Sequence, residues 1–214
     1  MSSDQASPDY AAARQAMVDN QLRPQGVTDS LVIAAMAAIP RERFVPEEAR
    51  ALAYSDRPVP LGEGRALAPP AVLGALLEDI LPVAGQTALV VGARSGYSAA
   101  VLSAMRLKVT ALDTVTLAVD RSDGFARVEG PLDQGHAKGA PFDIILIDGA
   151  VEYIPDALIA QLADGGRIGA GLIENGITRL IVGTKSGSAF GHRSIGDAGI
   201  PQLPGFAKPR AFTF

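Results

Sequence analysis

The sequence predicts an α/β fold with a mostly parallel central sheet and helices on both faces, and three stretches predict it. Thr87–Val91 is a short apolar run followed by Gly92-Ala93-Arg94-Ser95-Gly96 and then by residues from Tyr97 that can be helical. That order reads as a buried strand, a tight glycine turn and the first turn of a helix. About twenty residues on, Val109, Ala111 and Leu112 form a second apolar run that ends in Asp113. Residues 143–148 (DIILID) form a third, which ends in Asp148. In open α/β sheets, ligands bind in the crevice beyond the carboxyl ends of the strands, where backbone N–H groups and a helix N-terminus converge. A carboxylate at Asp113 can accept hydrogen bonds from ribose hydroxyls, so the pattern points to a nucleoside-containing cofactor. The alternative is a sheet of the same kind whose crevice holds no cofactor.

The other elements follow in chain order. Ser7-Pro8-Asp9 reads as a helix start, with a hydroxyl cap and proline at the first helical position. That helix runs to about Gln21 and is stopped by Arg23-Pro24-Gln25-Gly26. Thr28 or Asp29 caps a second helix with Leu31, Ala35 and Met36 on one face, ended by Pro40. Pro46-Glu47-Glu48 opens a third that reaches about Leu52. Prolines 58 and 60 and glycines 62 and 64 make residues 54–64 loop or short irregular strand. Pro70 begins an amphipathic helix with Leu73, Leu76, Leu77 and Ile80 at helical spacing. Residues 1–80 thus read as a mostly helical segment packed on a sheet core at 87–214. Residues 114–139 are polar, with room for a short helix only and a strand candidate at 127–129. Ile154-Pro155 leads a helix carrying Leu158, Ile159 and Leu162, and Asp164-Gly165-Gly166-Arg167-Ile168 turns into a fifth strand. Residues 180–184 supply a sixth strand and 211–214 a last one. No repeat, low-complexity tract or linker divides the chain, which reads as one domain over 1–214.

Composition narrows the function. The chain has 214 residues and a net charge of −4, with no lysine- or arginine-rich run, which argues against nucleic acid as a partner. It has no cysteine, which excludes disulfides, thiolate metal sites and cysteine nucleophiles. His136 and His192 sit among glycines and read as exposed loop residues, so no metal site is expected. The polar N-terminus and the lack of a long apolar run predict a cytoplasmic protein without a membrane partner. The glycine loop is not G-x-G-x-x-G, which disfavours a dinucleotide oxidoreductase. Ser95 is flanked at two places by Ala93 and Tyr97, not glycines, so it is no nucleophile elbow.

Asn20-Gln21-Leu22-Arg23, Pro40 with Arg43-Phe44-Val45-Pro46, and the run from Tyr54 through Ser55-Asp56-Arg57-Pro58-Val59-Pro60-Leu61 to Gly62 together resemble the protein-L-isoaspartate O-methyltransferase family. Gly96-Tyr97, Phe142-Asp143-Ile144-Ile145, Ile154-Pro155 and residues 162–167 fit the same family. The resemblance implies a Rossmann-like methyltransferase fold and S-adenosylmethionine as cofactor. It implies methylation of isoaspartyl carboxylates in damaged peptides and proteins as the activity. Carried onto this chain, it assigns Gly92, Ala93, Arg94, Ser95, Gly96, Tyr97, Asp113 and Asp148 to the cofactor, and Tyr54, Asp56 and Pro58 to the substrate. Tyr54 and Asp56 can equally fix their loop by hydrogen bonds, and Arg57 reads as a surface residue.

The departures from the family pattern gather at the site. Val90 stands where the family has a glutamate, and Arg94 replaces the middle glycine of Gly-Thr-Gly-Ser-Gly. Gly130 is followed by Pro131 where the family places an aspartate near the adenine. The family's Gln-Thr-Ile-Ser-Gln-Pro loop is here Arg65-Ala66-Leu67-Ala68-Pro69-Pro70, with Ala68 at the position of a serine implicated in substrate handling. Two readings stay open: a working methyltransferase with a remodelled, weakened cofactor site, or an inactive fold acting as a binding or scaffold module. Arg94 is the one departure that adds a group. It is expected to reach Asp148 or Asp113 and plug the crevice, or else to turn to solvent.

Overall fold

The apolar runs of the sequence become the centre of a seven-stranded sheet of order β5-β4-β3-β6-β7-β8-β9 in a computed structural model that describes residues 9–115 and 124–208. The strands are β3 (Thr87–Val91), β4 (Lys108–Asp113), β5 (Ala126–Glu129), β6 (Phe142–Val151), β7 (Leu162–Glu174), β8 (Ile177–Ser186) and β9 (Ala189–Asp197). β5, β4, β3, β6 and β7 run parallel, while β8 and β9 return antiparallel. Val90 in β3 lies opposite Ala111 in β4 and Leu146 in β6, so β3 is flanked by the two acid-terminated runs as the sequence predicts. Ala88 to Val91 are wholly buried, because helices and loops cover both faces of a parallel sheet.

Alternation along β3 divides the core in two. Ala88 and Val90 face a large cluster built with Met17, Leu22, Met36, Leu77 and Val101. That side is covered by α1 (Tyr10–Met17), α2 (Ser30–Ala38), α3 (Pro70–Ile80) and α4 (Tyr97–Ala104). Leu89 and Val91 face a smaller cluster with Ile145, Leu158, Leu203 and Phe206. Among the described residues, this side is covered by the short α5 (Asp156–Ala160), the 3₁₀ turn Leu132–Gln134 and the extended chain around 200–206. Ala150 N–H donates to Pro201 O at 3.0 Å and Leu203 N–H to Ala150 O at 2.7 Å, which straps that chain along the end of β6.

Several sequence expectations are corrected. Asp9, not Ser7, caps the first described helix, its carboxylate accepting from Ala12 N. Ser7 and Pro8 lie outside the described residues, as do the last strand at 211–214 and most of the connection after Asp113. Leu31 is 58% exposed, and Val32 takes the inward position beside Ala35 and Met36. The third helix is a 3₁₀ segment, Glu47–Leu52. Leu162 belongs to β7, not to the helix before it, because α5 ends after barely more than one turn. β9 is an added strand, and His192 lies on it, exposed, not in a loop. His136 is partly buried, its N–H held by Gln161. The N-terminal segment also carries a hairpin, β1 (Val59–Gly62) and β2 (Arg65–Leu67). Among the described residues, no helix is long and apolar enough to cross a membrane.

The helical segment is pinned to α3 by Glu78. Its carboxylate accepts from Thr28 Oγ1 at 2.6 Å, Thr28 N at 3.0 Å and Asp29 N at 2.9 Å, and Asp29 in turn caps α2. What burial Glu78 has would raise its pKa, but these hydrogen bonds outweigh that and hold it below its ordinary value. The contribution is therefore full near neutral pH and is lost as pH falls through the acid range. Replacing Glu78 with Ala is expected to cost roughly 1 kcal/mol at pH 7, discounted for the group's exposure. Denaturant unfolding of wild type and variant checks this, and the difference should narrow at pH 3.

Candidate functional site

The site forms where β3 and β4 end. β3 leaves the sheet through Gly92, whose φ of +80° suits a residue without a Cβ. Gly92 and Ala93 donate their N–H groups to Leu112 O, at 2.9 and 3.1 Å. The turn closes with Gly96 N to Ala93 O at 3.0 Å, and Ser95 Oγ accepts from Tyr97 N at 3.1 Å at the start of α4. Gly92, Ala93, Ser95, Gly96 and Asp113 are thus brought to one edge of the sheet. Asp148, near the end of the adjacent β6, accepts from Ser98 Oγ at 2.9 Å. Burial holds the Asp148 carboxyl above the ordinary range. Nearby Asp113 adds to that rise, while Ser98 and the cations Arg65 and Arg41 oppose it.

The crevice holds a side chain that the sequence reading overlooked. Arg65, on β2, donates from Nη2 to Gly92 O at 2.6 Å and to Asp113 Oδ2 at 3.0 Å, and from Nη1 to Asp113 Oδ1 at 3.4 Å. The two side chains of this pair are 6% and 3% exposed. Leu203 closes the space from the other side. A Cβ built on Gly92 would lie 2.9 Å from Leu203 Cδ1 and 3.2 Å from Arg65 Nη2, and one built on Gly149 would lie 2.6 Å from Leu203 Cγ. Next to Asp113, between Ala93, Val115 and Glu129, remains a cavity of about 30 Å³. That is room for a water molecule or two, against the few hundred Å³ a nucleoside-sized ligand fills. With Arg65 and Leu203 where they stand, the space left among the described residues beside Asp113 is smaller than a nucleoside fills.

Arg94 is not the plug. Its guanidinium turns away from Asp113 and Asp148 and meets Glu63 Oε2 at 2.6 Å, at the tip of the β1–β2 hairpin. It is 19% exposed, so it is not turned to bulk solvent either. The physical reason is competition: Arg65 already pairs with Asp113, and Glu63 at the hairpin tip pairs with Arg94. Tyr97 also departs from expectation. Its ring is fully buried on the helical side, edge-on to Phe44 at 5.6 Å and beneath the Arg41 guanidinium at 4.7 Å. It packs the N-terminal segment against α4.

The predicted substrate residues divide similarly. Tyr54 Oη donates to Glu42 Oε2 at 2.5 Å and accepts from Arg14 Nη1 at 3.1 Å, while its carbonyl accepts from Gln21 Nε2 at 2.7 Å. Burial and then Glu42 push its phenol up to about 12. Tyr54 is therefore a tie within its own segment, whereas Asp56 is exposed and Pro58 partly so. Ala68 is buried next to the crevice, and its carbonyl accepts from Nη2 of the fully buried Arg41, whose Nε donates to Ala53 O at 2.6 Å. Burial lowers the Arg41 pKa, against the pull of Tyr97 and Asp148. Arg41 is the second residue the sequence reading missed. Its signal was a charged residue immediately after Pro40, ahead of the family-like Arg43-Phe44-Val45-Pro46.

Comparison with known proteins gives the same direction. The family model for protein-L-isoaspartate (D-aspartate) O-methyltransferase matches residues 12–189. A Rhodopseudomonas palustris protein-L-isoaspartate O-methyltransferase 1 is 38% identical over 168 residues, covering 74% of this chain and 69% of that protein. A Marinobacter nauticus protein-L-isoaspartate O-methyltransferase 2 is 36% identical over 211 residues, covering 92% and 95%. Among solved structures, a Plasmodium falciparum chain described as such an enzyme in complex with S-adenosyl-L-homocysteine superposes with a TM-score of 0.75. It covers 89% of this chain and 97% of its own length at 20% identity, a likeness of fold.

Arg41 joins two carbonyls, Ala53 O and Ala68 O, that would otherwise be buried without donors. Arg41→Met is expected to destabilise the protein by about 3 kcal/mol, since each orphaned carbonyl costs roughly 1–3 kcal/mol. Chemical denaturation measures it, and a change under 1 kcal/mol would show that the guanidinium does not hold these segments together.

Proposed function

Because the chain belongs to the protein-L-isoaspartate (D-aspartate) O-methyltransferase family, we propose that it transfers a methyl group from S-adenosylmethionine to isoaspartyl carboxylates of damaged peptides and proteins. The observation that carries this reading is the family match over residues 12–189, which spans both the sheet and the N-terminal segment. A glycine loop alone is common to many methyltransferases. Here the family-like N-terminal stretches also pack on one another: Gln21 binds the Tyr54 carbonyl, Arg41 binds the Ala53 carbonyl, and Tyr54 binds Glu42. On this reading Gly92, Ala93, Ser95, Gly96 and Asp113 line the donor side, and the Ala68 loop faces the carboxylate to be methylated. Cytoplasmic placement goes with it and rests on composition. In the conformation described, Arg65 and Leu203 fill the donor side, so these residues must move before the donor enters.

The test is transfer of labelled methyl from S-adenosylmethionine to a peptide carrying one isoaspartyl residue, beside the same peptide with ordinary aspartate. Label is expected in the first peptide only, released by mild base as methanol. Equal labelling of both, or of neither, would overturn the reading. Ala68→Ser, which restores a hydroxyl donor at the loop, is expected to raise the rate about tenfold, the worth of one net hydrogen bond. Methanol release per unit time measures it, and an unchanged rate would show that the position is indifferent.

A further inference from the structure

We propose that Arg65 sets this chain's affinity for its methyl donor by occupying, on Asp113, the position of a ribose diol. The proposal rests on the methyltransferase reading above and adds a residue to it.

A vicinal diol offers a carboxylate two neighbouring O–H donors. A guanidinium offers two neighbouring N–H donors in a planar fork, with full positive charge. Arg65 presents that fork to Asp113, Nη2 to Oδ2 at 3.0 Å and Nη1 to Oδ1 at 3.4 Å. Oδ1 also accepts from Thr114 N at 2.8 Å and Thr114 Oγ1 at 3.3 Å, so both oxygens are engaged. Nη2 reaches Gly92 O as well, which puts the cation directly above the glycine where a ligand would approach the backbone. The carboxylate therefore cannot serve a ribose until Arg65 leaves. Leaving is unfavourable because it separates a pair that is almost fully buried, and an unpartnered buried charge is costly.

The hairpin turn delivers Arg65 to this place and a second ion pair fastens it. Gly62, Glu63 and Gly64 all have positive φ and form the tip, where Glu63 binds Arg94. Glu63 is 75% exposed, so that outer pair contributes much less than the inner one. The two arginines that distinguish this chain's loops thus act differently: Arg94 steadies the hairpin, and Arg65 competes with the ligand for the Asp113 carboxylate. Glutamine, which the family pattern places at position 65, has the donors of an amide but neither the charge nor the fork.

Calorimetric titration of the full chain with S-adenosylhomocysteine tests this. Arg65→Gln is expected to tighten Kd at least tenfold. Arg65→Lys, which keeps the charge and loses the fork, should fall between it and wild type and serves if the glutamine variant does not fold. Glu63→Gln, which releases Arg94 and leaves Arg65 on Asp113, should change Kd less than threefold. Without ligand, Arg65→Gln should melt below wild type because Asp113 loses its partner, and saturating S-adenosylhomocysteine should raise its Tm by more. Equal affinity in wild type and Arg65→Gln would overturn the proposal and leave the enzyme reading intact. Equal gains from Arg65→Gln and Glu63→Gln would also overturn it, by assigning the effect to a loosened hairpin. Absence of binding in every form would remove the methyltransferase reading and the proposal with it.

Discussion

A carboxylate at the end of β4, inside a closed crevice, requires a partner, and the arrangement of the site follows from the partner it has. Asp113 is placed by strand geometry: β4 pairs with β3 through Leu112, and Asp113 is the next residue along. Its side chain is 3% exposed, so an ionised Asp113 needs a cation or several donors. Arg65 supplies the cation from a hairpin far away in sequence. That pair draws β2 over Gly92, leaves Arg94 to bind the hairpin tip, and brings Ala66 and Ala68 against the crevice beside Asp148.

The other side of the site depends on a second buried guanidinium. Arg41 lies between the Tyr97 ring and the carbonyls of Ala53 and Ala68, and so links the N-terminal segment, the loop before α3 and the start of α4. Residues that look functional in a family pattern, Tyr54 and Tyr97, serve this assembly through packing and hydrogen bonds. The helical layer is thick, whereas the opposite face of the sheet has the short α5 and the strap through Leu203 and Phe206. The strap reaches the crevice because it must cover that thin face, and Leu203 closes over Gly92 and Gly149 as a consequence.

Much of the fold was legible in the chain. Continuous apolar runs such as LVV and IILI need burial on both faces, which only the middle of a parallel sheet provides, and β3 between β4 and β6 followed from that. Pro70 and the Leu73-to-Ile80 spacing gave α3 its start and its buried face. Less legible were elements with mixed patterns. β9 has almost no buried residue and shows no alternation, and the hairpin at 59–67 reads as proline- and glycine-rich loop. Val32, Ala35 and Met36 at i, i+3 and i+4 form the inward face of α2, and Leu31, one residue earlier, is turned off that face, so the apolar pattern there misled.

What the sequence alone determined is what local chemistry determines: the strands and helices with a clear apolar period, the glycine turn, the acids at strand ends and the family to which these motifs point. What only the tertiary structure decided is which cation meets which acid. Arg94 adjoins the glycine loop in sequence and was the natural candidate for Asp113, yet Arg65, 48 residues before that acid, holds it. Ion pairing depends on where long side chains can reach once strands have twisted and loops have closed. Neighbours in sequence carry no information about that reach, and it is the hairpin's placement over Gly92 that brings Arg65 to Asp113.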